Sequence, residues 1–102
     1  LIIKKYIDDN FTSCDLSLNC ISKELLYNPK YISGLFKKKM NIGLVEYINT
    51  IRIQYACTLI NQGFTSVKEI AALSGYRDAL YFSKVFKNKM GVSPKQYVSS
   101  LH

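Results

Sequence analysis

Apolar residues recur along most of the chain at three- and four-residue steps, the spacing that places them on one face of an α-helix. The longest such stripe predicts a helix that ends at Gly63; its members are Leu44, Ile48, Ile51, Tyr55 and Leu59. A second stripe on the same helix consists of Ile53, Ala56 and Ile60. A helix with two apolar faces can pack against a structural unit on each side, so we predict a shared connecting helix.

Shorter helices are predicted on both sides of this connecting helix. Ile3, Ile7 and Phe11 have helical spacing at the start of the chain. Ser, Asn and Asp accept hydrogen bonds from the free N–H groups of a helix start, and proline fits the first turn. Such starts occur at Ser17, at Asn28-Pro29, at Ser66 with Glu69, at Asp78 after the break at Gly75, and at Ser93-Pro94 with Gln96. The pattern predicts an all-α fold of seven helices, in which the second helix covers residues 18–26.

The chain also contains an internal repeat with an offset of 50 residues. Residues 31–48 read YISGLFKKKMNIGLVEYI, and residues 81–98 read YFSKVFKNKMGVSPKQYV. The identical pairs are Tyr31/Tyr81, Ser33/Ser83, Phe36/Phe86, Lys37/Lys87, Lys39/Lys89, Met40/Met90 and Tyr47/Tyr97. Each copy follows a helix and a short turn, which is the order of a helix-turn-helix. We therefore expect a first helix-turn-helix subdomain over 1–42, a connecting helix over 43–62 and a second helix-turn-helix subdomain over 63–102.

Positive charge is concentrated in the two copies of the repeat. The chain has 14 Lys and Arg against 7 Asp and Glu, a net charge of +7. Four lysines lie between Pro29 and Met40 without an acidic residue, and the segment from Ala79 through Lys95 contains four more, again without one. An excess of this size indicates a polyanionic partner, and its position on the second helix of each helix-turn-helix favours double-stranded DNA.

In a helix-turn-helix the second helix, the recognition helix, lies in the major groove and contacts base edges. Its inner face must be apolar, and we assign that role to Ile32, Leu35, Phe36, Phe82, Val85 and Phe86. The remaining positions are candidates for base contact: Lys30, Ser33, Gly34, Ala79, Leu80, Ser83 and Lys84. Lysine donates to guanine, serine contacts several bases, and small or apolar side chains pack on thymine methyl groups.

A second set of basic residues is predicted to contact phosphates, which gives affinity without sequence information. Its members are Lys37, Lys38, Arg52, Lys68, Lys87, Lys89 and Lys95. The helix starts at Asn28, Ser66 and Ser93 offer free N–H groups to phosphate as well.

Other functions find less support in the residues. The only histidine is His102, and no nucleophile-base pair, metal cluster, cofactor motif or phosphate-binding loop is recognisable, so we expect no enzyme, cofactor or metal. Three cysteines without a CxxC motif fit a reducing cytoplasm, and no apolar run suggests a membrane partner. A helical protein-interaction adaptor with a basic docking face remains the alternative, and RNA binding is a weaker one.

Residues 75–97, GYRDALYFSKVFKNKMGVSPKQY, resemble the C-terminal signature of the AraC/XylS family of transcription activators. The first copy, with Arg52, Ile53, Ala56, Leu59 and Ile60 after it, is similar to the family's N-terminal unit and connecting helix. The resemblance covers essentially all 102 residues. It implies a monomeric seven-helix domain with its recognition helices in successive major grooves, which regulates transcription through RNA polymerase. All seven candidate base contacts fall where the family contacts bases.

The resemblance also implies a longer protein. Family members usually carry a separate sensing or dimerisation domain, and the start at Leu1 leads us to expect the C-terminal part of such a protein. The output domains of sugar-responsive activators and of two-component response regulators fit equally well.

The first copy departs from the family at two positions. Leu26 stands where the turn often has glycine, and Gly34 replaces a residue that is often long and polar. We therefore expect the first recognition helix to contact fewer bases than the second.

Overall fold

Seven α-helices and no strand make up the regular structure in the computed structural model, which describes residues 1–102. The helices are α1 (Ile2–Asn10), α2 (Leu18–Leu25), α3 (Pro29–Met40), α4 (Leu44–Asn61), α5 (Val67–Leu73), α6 (Ala79–Met90) and α7 (Pro94–Leu101). The predicted all-α fold of seven helices is confirmed. None of the helices combines the length and the apolar character that a membrane span requires.

The predicted helix starts carry the expected side-chain caps. Ser17 accepts a hydrogen bond from the Cys20 amide at 3.1 Å, and Asn28 accepts one from the Lys30 amide at 2.8 Å. At the start of α7, Ser93 and Gln96 form both halves of a capping box. At the start of α5 only one half forms: Ser66 accepts from the Glu69 amide at 3.2 Å. These contacts satisfy amide groups that the helices themselves leave free.

Both helix-turn-helix turns use a residue with left-handed backbone after the first helix. Gly75 has φ of +100° after α5, and Leu26 has φ of +61° after α2. The helix α2 therefore ends at Leu25, one residue before the predicted end. The left-handed conformation costs a residue with a Cβ roughly 1–2 kcal/mol, and the Leu26 side chain recovers little of it because it is 88% exposed.

Two separate hydrophobic cores lie along the chain. The first is formed by Ile3, Ile7, Leu16, Ile21, Ile32, Phe36, Leu44 and Ile48. The second is formed by Ile53, Ala56, Leu59, Ile60, Ile70, Ala71, Tyr76, Phe82, Val85 and Phe86. We call the parts around them the first and second units.

Helix α4 belongs to both units, as its two apolar faces predict. The two units, however, pack against different halves of the helix rather than against different faces. Leu44 and Ile48 near its start are buried in the first core, with Ile51 packed against them. Leu59, from the same predicted stripe, is buried in the second core. The N-terminal half of α4 therefore completes the first unit and the C-terminal half begins the second, which gives an elongated molecule of 44 × 22 × 21 Å.

Candidate nucleic-acid interface

The recognition helix α3 is seated on the first core by one face. Ile32 and Phe36 are fully buried there, and the Phe36 ring lies 5.4 Å from the Tyr47 ring. The opposite face is exposed and carries Lys30, Gly34 and Lys37, which follow one another at steps of four and three residues. Because such residues lie on one line along a helix, they form a continuous outward face.

Helix α6 repeats this arrangement on the second core. Phe82, Val85 and Phe86 are buried, and the Asp78 side chain caps the helix start by accepting from the Leu80 amide at 2.8 Å. The outward line consists of Leu80, Lys84 and Lys87, all exposed. Leu80 is 77% exposed, although nothing in the cap requires an apolar residue there. An apolar side chain that projects from the first turn of a recognition helix suits contact with a thymine methyl group.

Equivalent positions of the two outward faces carry different chemistry. With the offset of 50 residues, Lys30 corresponds to Leu80, and Gly34 corresponds to Lys84. The space around Gly34 is open, since a Cβ built there meets no heavy atom within 4 Å. The two helices thus present different groups to a groove even though they have the same fold.

The other candidate base contacts lie beside these outward faces. Ser33 and Ser83 are half-buried at equivalent positions of the two helices. Ala79 is half-buried too and packs against the second core. Their side chains are less exposed to a base edge than those of Lys30, Leu80 and Lys84.

Two tyrosines on the recognition helices were missed as candidates. Tyr31 is 53% exposed and Tyr81 is 46% exposed, each next to the outward line of its helix. The Tyr31 ring lies 5.3 Å from that of Tyr27, which is itself exposed in the turn before α3. In the sequence, Tyr31 and Tyr81 served only to align the two copies of the repeat. The signal was available, because both positions fall outside the apolar stripe that seats each helix.

The lysines on and around the recognition helices are free of acidic partners. The ion pairs of the molecule join Lys4 with Asp8, Lys5 with Asp9 and Arg77 with Asp15, so none involves α3 or α6. The exposed members of the predicted phosphate set are Lys37, Lys38, Lys68, Lys87 and Lys95, while Lys89 is half-buried. Lysines without an ion-pair partner on both recognition helices give these helices a net positive charge.

Arg52 is set apart from these exposed lysines by its burial, which does not support its predicted contact with a phosphate. The residue is 8% exposed, and its guanidinium donates to two backbone carbonyls, from Nε to Phe11 at 2.7 Å and from the terminal nitrogen to Ser13 at 2.9 Å. It also lies over the Tyr76 ring, 5.1 Å from the centroid. Burial lowers the pKa of Arg52 from its ordinary value. Two of the five N–H donors of this guanidinium are thus engaged by backbone carbonyls inside the protein.

The sequence matches the model of a family described as "Helix-turn-helix domain" over residues 21–100. A transcriptional regulator from Escherichia coli, YijO, is 34% identical over 98% of this chain and 35% of its own length. The Msm operon regulatory protein of Streptococcus mutans is 35% identical over 93% of this chain and 34% of its own length. The chain thus spans about a third of these relatives.

A solved structure agrees with both the sequence match and the fold. The C-terminal domain of the two-component response regulator yesN from Fusobacterium nucleatum has a TM-score of 0.90 and 30% identity, covering 95% of this chain and 94% of that one. The resemblance predicted from residues 75–97 is confirmed. With its two recognition helices and their unpaired lysines, the chain belongs to the AraC/XylS family of DNA-binding transcription regulators.

Proposed function

We propose that the domain inserts α3 and α6 into successive major grooves on one side of a DNA duplex. The observation that carries the proposal is the pair of equivalent, exposed and acid-free helix faces, one in each unit of a molecule 44 Å long. Successive major grooves on one side of DNA are about 34–36 Å apart. A molecule of this length can span that distance while each unit contacts its own groove.

The candidate residues then divide into three groups. Lys30, Leu80 and Lys84, which lie in the N-terminal part of the two outward lines, meet base edges first, whereas Lys37 and Lys87 at the far end of these lines meet the DNA backbone. Ser33, Gly34, Ala79 and Ser83 allow close approach or contact bases from the side. The phosphate contacts come from Lys37, Lys38, Lys68, Lys87, Lys89 and Lys95. The division of the chain into two helix-turn-helix subdomains joined by residues 43–62 is part of this proposal.

The role of the longer protein follows from its relatives. YijO and the Msm protein are named as regulators, and the yesN domain is the C-terminal part of a two-component response regulator. We infer that this domain is the output part of a bacterial regulator, acts on promoters in the cytoplasm, and affects transcription through RNA polymerase. Any dimerisation would reside in the rest of that protein, because the domain itself carries both recognition helices. The domain has no enzymatic role in this scheme.

The test compares two lysines of the same helix. Lys84→Ala should reduce discrimination at one base pair of the site by about 1–3 kcal/mol, because Lys84 lies at the centre of the outward line. Lys87→Ala should weaken binding to all duplexes alike, because it contacts phosphate. Binding is measured by fluorescence anisotropy against a duplex site selected from a random library and against the single-base variants of that site. Equal loss of discrimination in both variants would contradict the division of roles.

The salt dependence of wild-type binding tests the electrostatic part. About six phosphate contacts at roughly 0.9 each predict a slope of about −5 for log K against log salt concentration. Binding that does not change with salt would contradict the phosphate contacts, and a failure to bind any duplex would favour the protein-interaction adaptor instead.

A further inference from the structure

Besides sharing helix α4, the two units are joined by a contact that centres on the side chain of Arg52, a residue of α4. Phe11 and Ser13, which accept its hydrogen bonds, lie in the segment between α1 and α2 of the first unit. The ring of Tyr76, over which the guanidinium lies, belongs to the turn between α5 and α6 of the second unit. We call these residues, together with Gly75, the interunit junction. A single buried side chain thus connects a loop of one unit with the helix-turn-helix turn of the other.

Gly75 shows how closely the two units approach. A Cβ at this position would lie 2.5 Å from the carbonyl oxygen of Phe11 and 2.8 Å from Nε of Arg52. The backbone oxygen of Phe11 cannot move without moving its loop. Gly75 is therefore required twice, once for its φ of +100° and once for the absence of a side chain.

Hydrogen bonds extend from the interunit junction to the second recognition helix. The Tyr76 hydroxyl donates to Oδ1 of Asn49 in α4 at 2.7 Å, and Nδ2 of the same Asn49 donates to the Tyr81 hydroxyl in α6 at 3.3 Å. Arg77, the next residue of the turn, forms an ion pair with Asp15 of the first unit. The turn before α6 is thus attached both to the connecting helix and to the first unit.

We propose that the interunit junction fixes the angle and distance between α3 and α6, and so sets the spacing between the two half-sites that the domain accepts. Arg52 is then a positioning residue that determines specificity without touching DNA. This inference rests on the proposed function, because spacing has meaning only if both helices enter a groove. One inserted base pair moves a half-site by about 3.4 Å and rotates it by about 34°. A rigid junction cannot follow such a change, whereas a loosened one can.

Two glycine variants distinguish the effect of disrupting the interunit junction from the effect of backbone strain. Gly75→Ala places a Cβ against Phe11 and Arg52, whereas Gly63→Ala has a nearly equal φ of +108° and meets no atom within 4 Å. Both variants carry the strain of alanine in this conformation, and only Gly75→Ala separates the units. Two further variants act without a glycine change: Arg52→Met removes the buried donors, and Arg77→Gln removes the exposed ion pair and carries little risk to folding.

The assay uses duplexes that contain both selected half-sites with spacers lengthened or shortened by one and two base pairs. Wild type and Gly63→Ala should lose about tenfold or more in affinity per changed base pair, the loss expected when one helix leaves its contacts. Gly75→Ala and Arg52→Met should lose less than about threefold between neighbouring spacings, with Arg77→Gln between these limits. Circular dichroism spectra and thermal unfolding identify any variant that is not folded.

Four outcomes separate the inference from the proposed function. Spacing profiles as sharp in folded Gly75→Ala and Arg77→Gln as in wild type would overturn the role of the interunit junction, and so would an equal broadening in Gly63→Ala. A wild type that binds one half-site as tightly as the pair would overturn the proposed function instead. A purely structural role for Arg52 would lower stability and affinity at every spacing while leaving the ratio between spacings unchanged, and this result would also refute the inference.

Discussion

Gly34 lies in the middle of α3 with helical backbone and open space, so its replacement by alanine should stabilise the domain. Glycine in a helix interior costs about 0.8–1.0 kcal/mol relative to alanine. A Cβ at this position meets no atom within 4 Å, so no steric term opposes the gain. For a domain near 100 residues, this free energy corresponds to a rise in melting temperature of about 4–8 °C.

Gly91→Ala is the matched control for Gly34→Ala. Its Cβ also meets open space, but its φ of +82° is left-handed. Alanine should therefore destabilise the domain by about 1–2 kcal/mol there, so the two substitutions differ in sign for one reason, the backbone conformation. Urea unfolding followed by circular dichroism measures both free energies. A destabilising Gly34→Ala would refute the description of this surface as open.

The same variant tests why glycine stands on a recognition helix. If Gly34 allows close approach to DNA, Gly34→Ala will bind the selected site more weakly despite its greater stability. Unchanged affinity would show that the first helix does not need a small residue at this position.

Three further predictions concern the rest of the molecule. Leu26→Gly should raise the free energy of unfolding by up to about 1 kcal/mol, because it relieves the left-handed strain of an exposed residue; urea unfolding tests this, and a loss would contradict it. Ser74→Ala should be neutral or stabilising in the same assay, because the buried hydroxyl has no hydrogen-bond partner, and a clear loss would reveal a missed partner. Burial raises the pKa of Asp8, but hydrogen bonds from Lys4 and Tyr47 outweigh it and hold the pKa below its ordinary value. The contribution of Asp8 to stability is therefore complete above the unfolded pKa of about 4 and is lost as the pH falls through the lower folded pKa. Asp8→Asn should flatten this part of the acid unfolding curve at a cost below about 1 kcal/mol at neutral pH, and an unchanged curve would refute the assignment.

Much of the fold was predictable because its signals are local. A cap such as Asn28-Pro29 acts on the next turn of backbone, and the apolar spacing in α3 and α6 depends only on residues within one helix. The repeat then indicated the outward faces, since Lys30 and Lys84 are exposed at positions that the apolar stripe leaves free.

The role of Arg52 was not predictable, because it depends on a contact between units. By charge and by its position on a helix it resembled a phosphate contact, yet its partners Phe11 and Ser13 lie some 40 residues earlier and contribute only backbone oxygens. Every residue has a backbone carbonyl group, so the sequence does not show which of these groups accept a hydrogen bond from a distant side chain. Gly75 was recognised for its turn, but the second reason for glycine, the approach of Phe11, required the tertiary structure.

The selection of bound sites from a random duplex library tests the central claim most directly. The account predicts two blocks of base preference about 10 base pairs apart, the separation of successive major grooves on one side of DNA. The block under α6 should be the stronger, because Lys84 projects there where the first helix has Gly34. A single block would contradict the proposal that both helices contact bases, and binding without any base preference would contradict the assignment of the outward faces altogether.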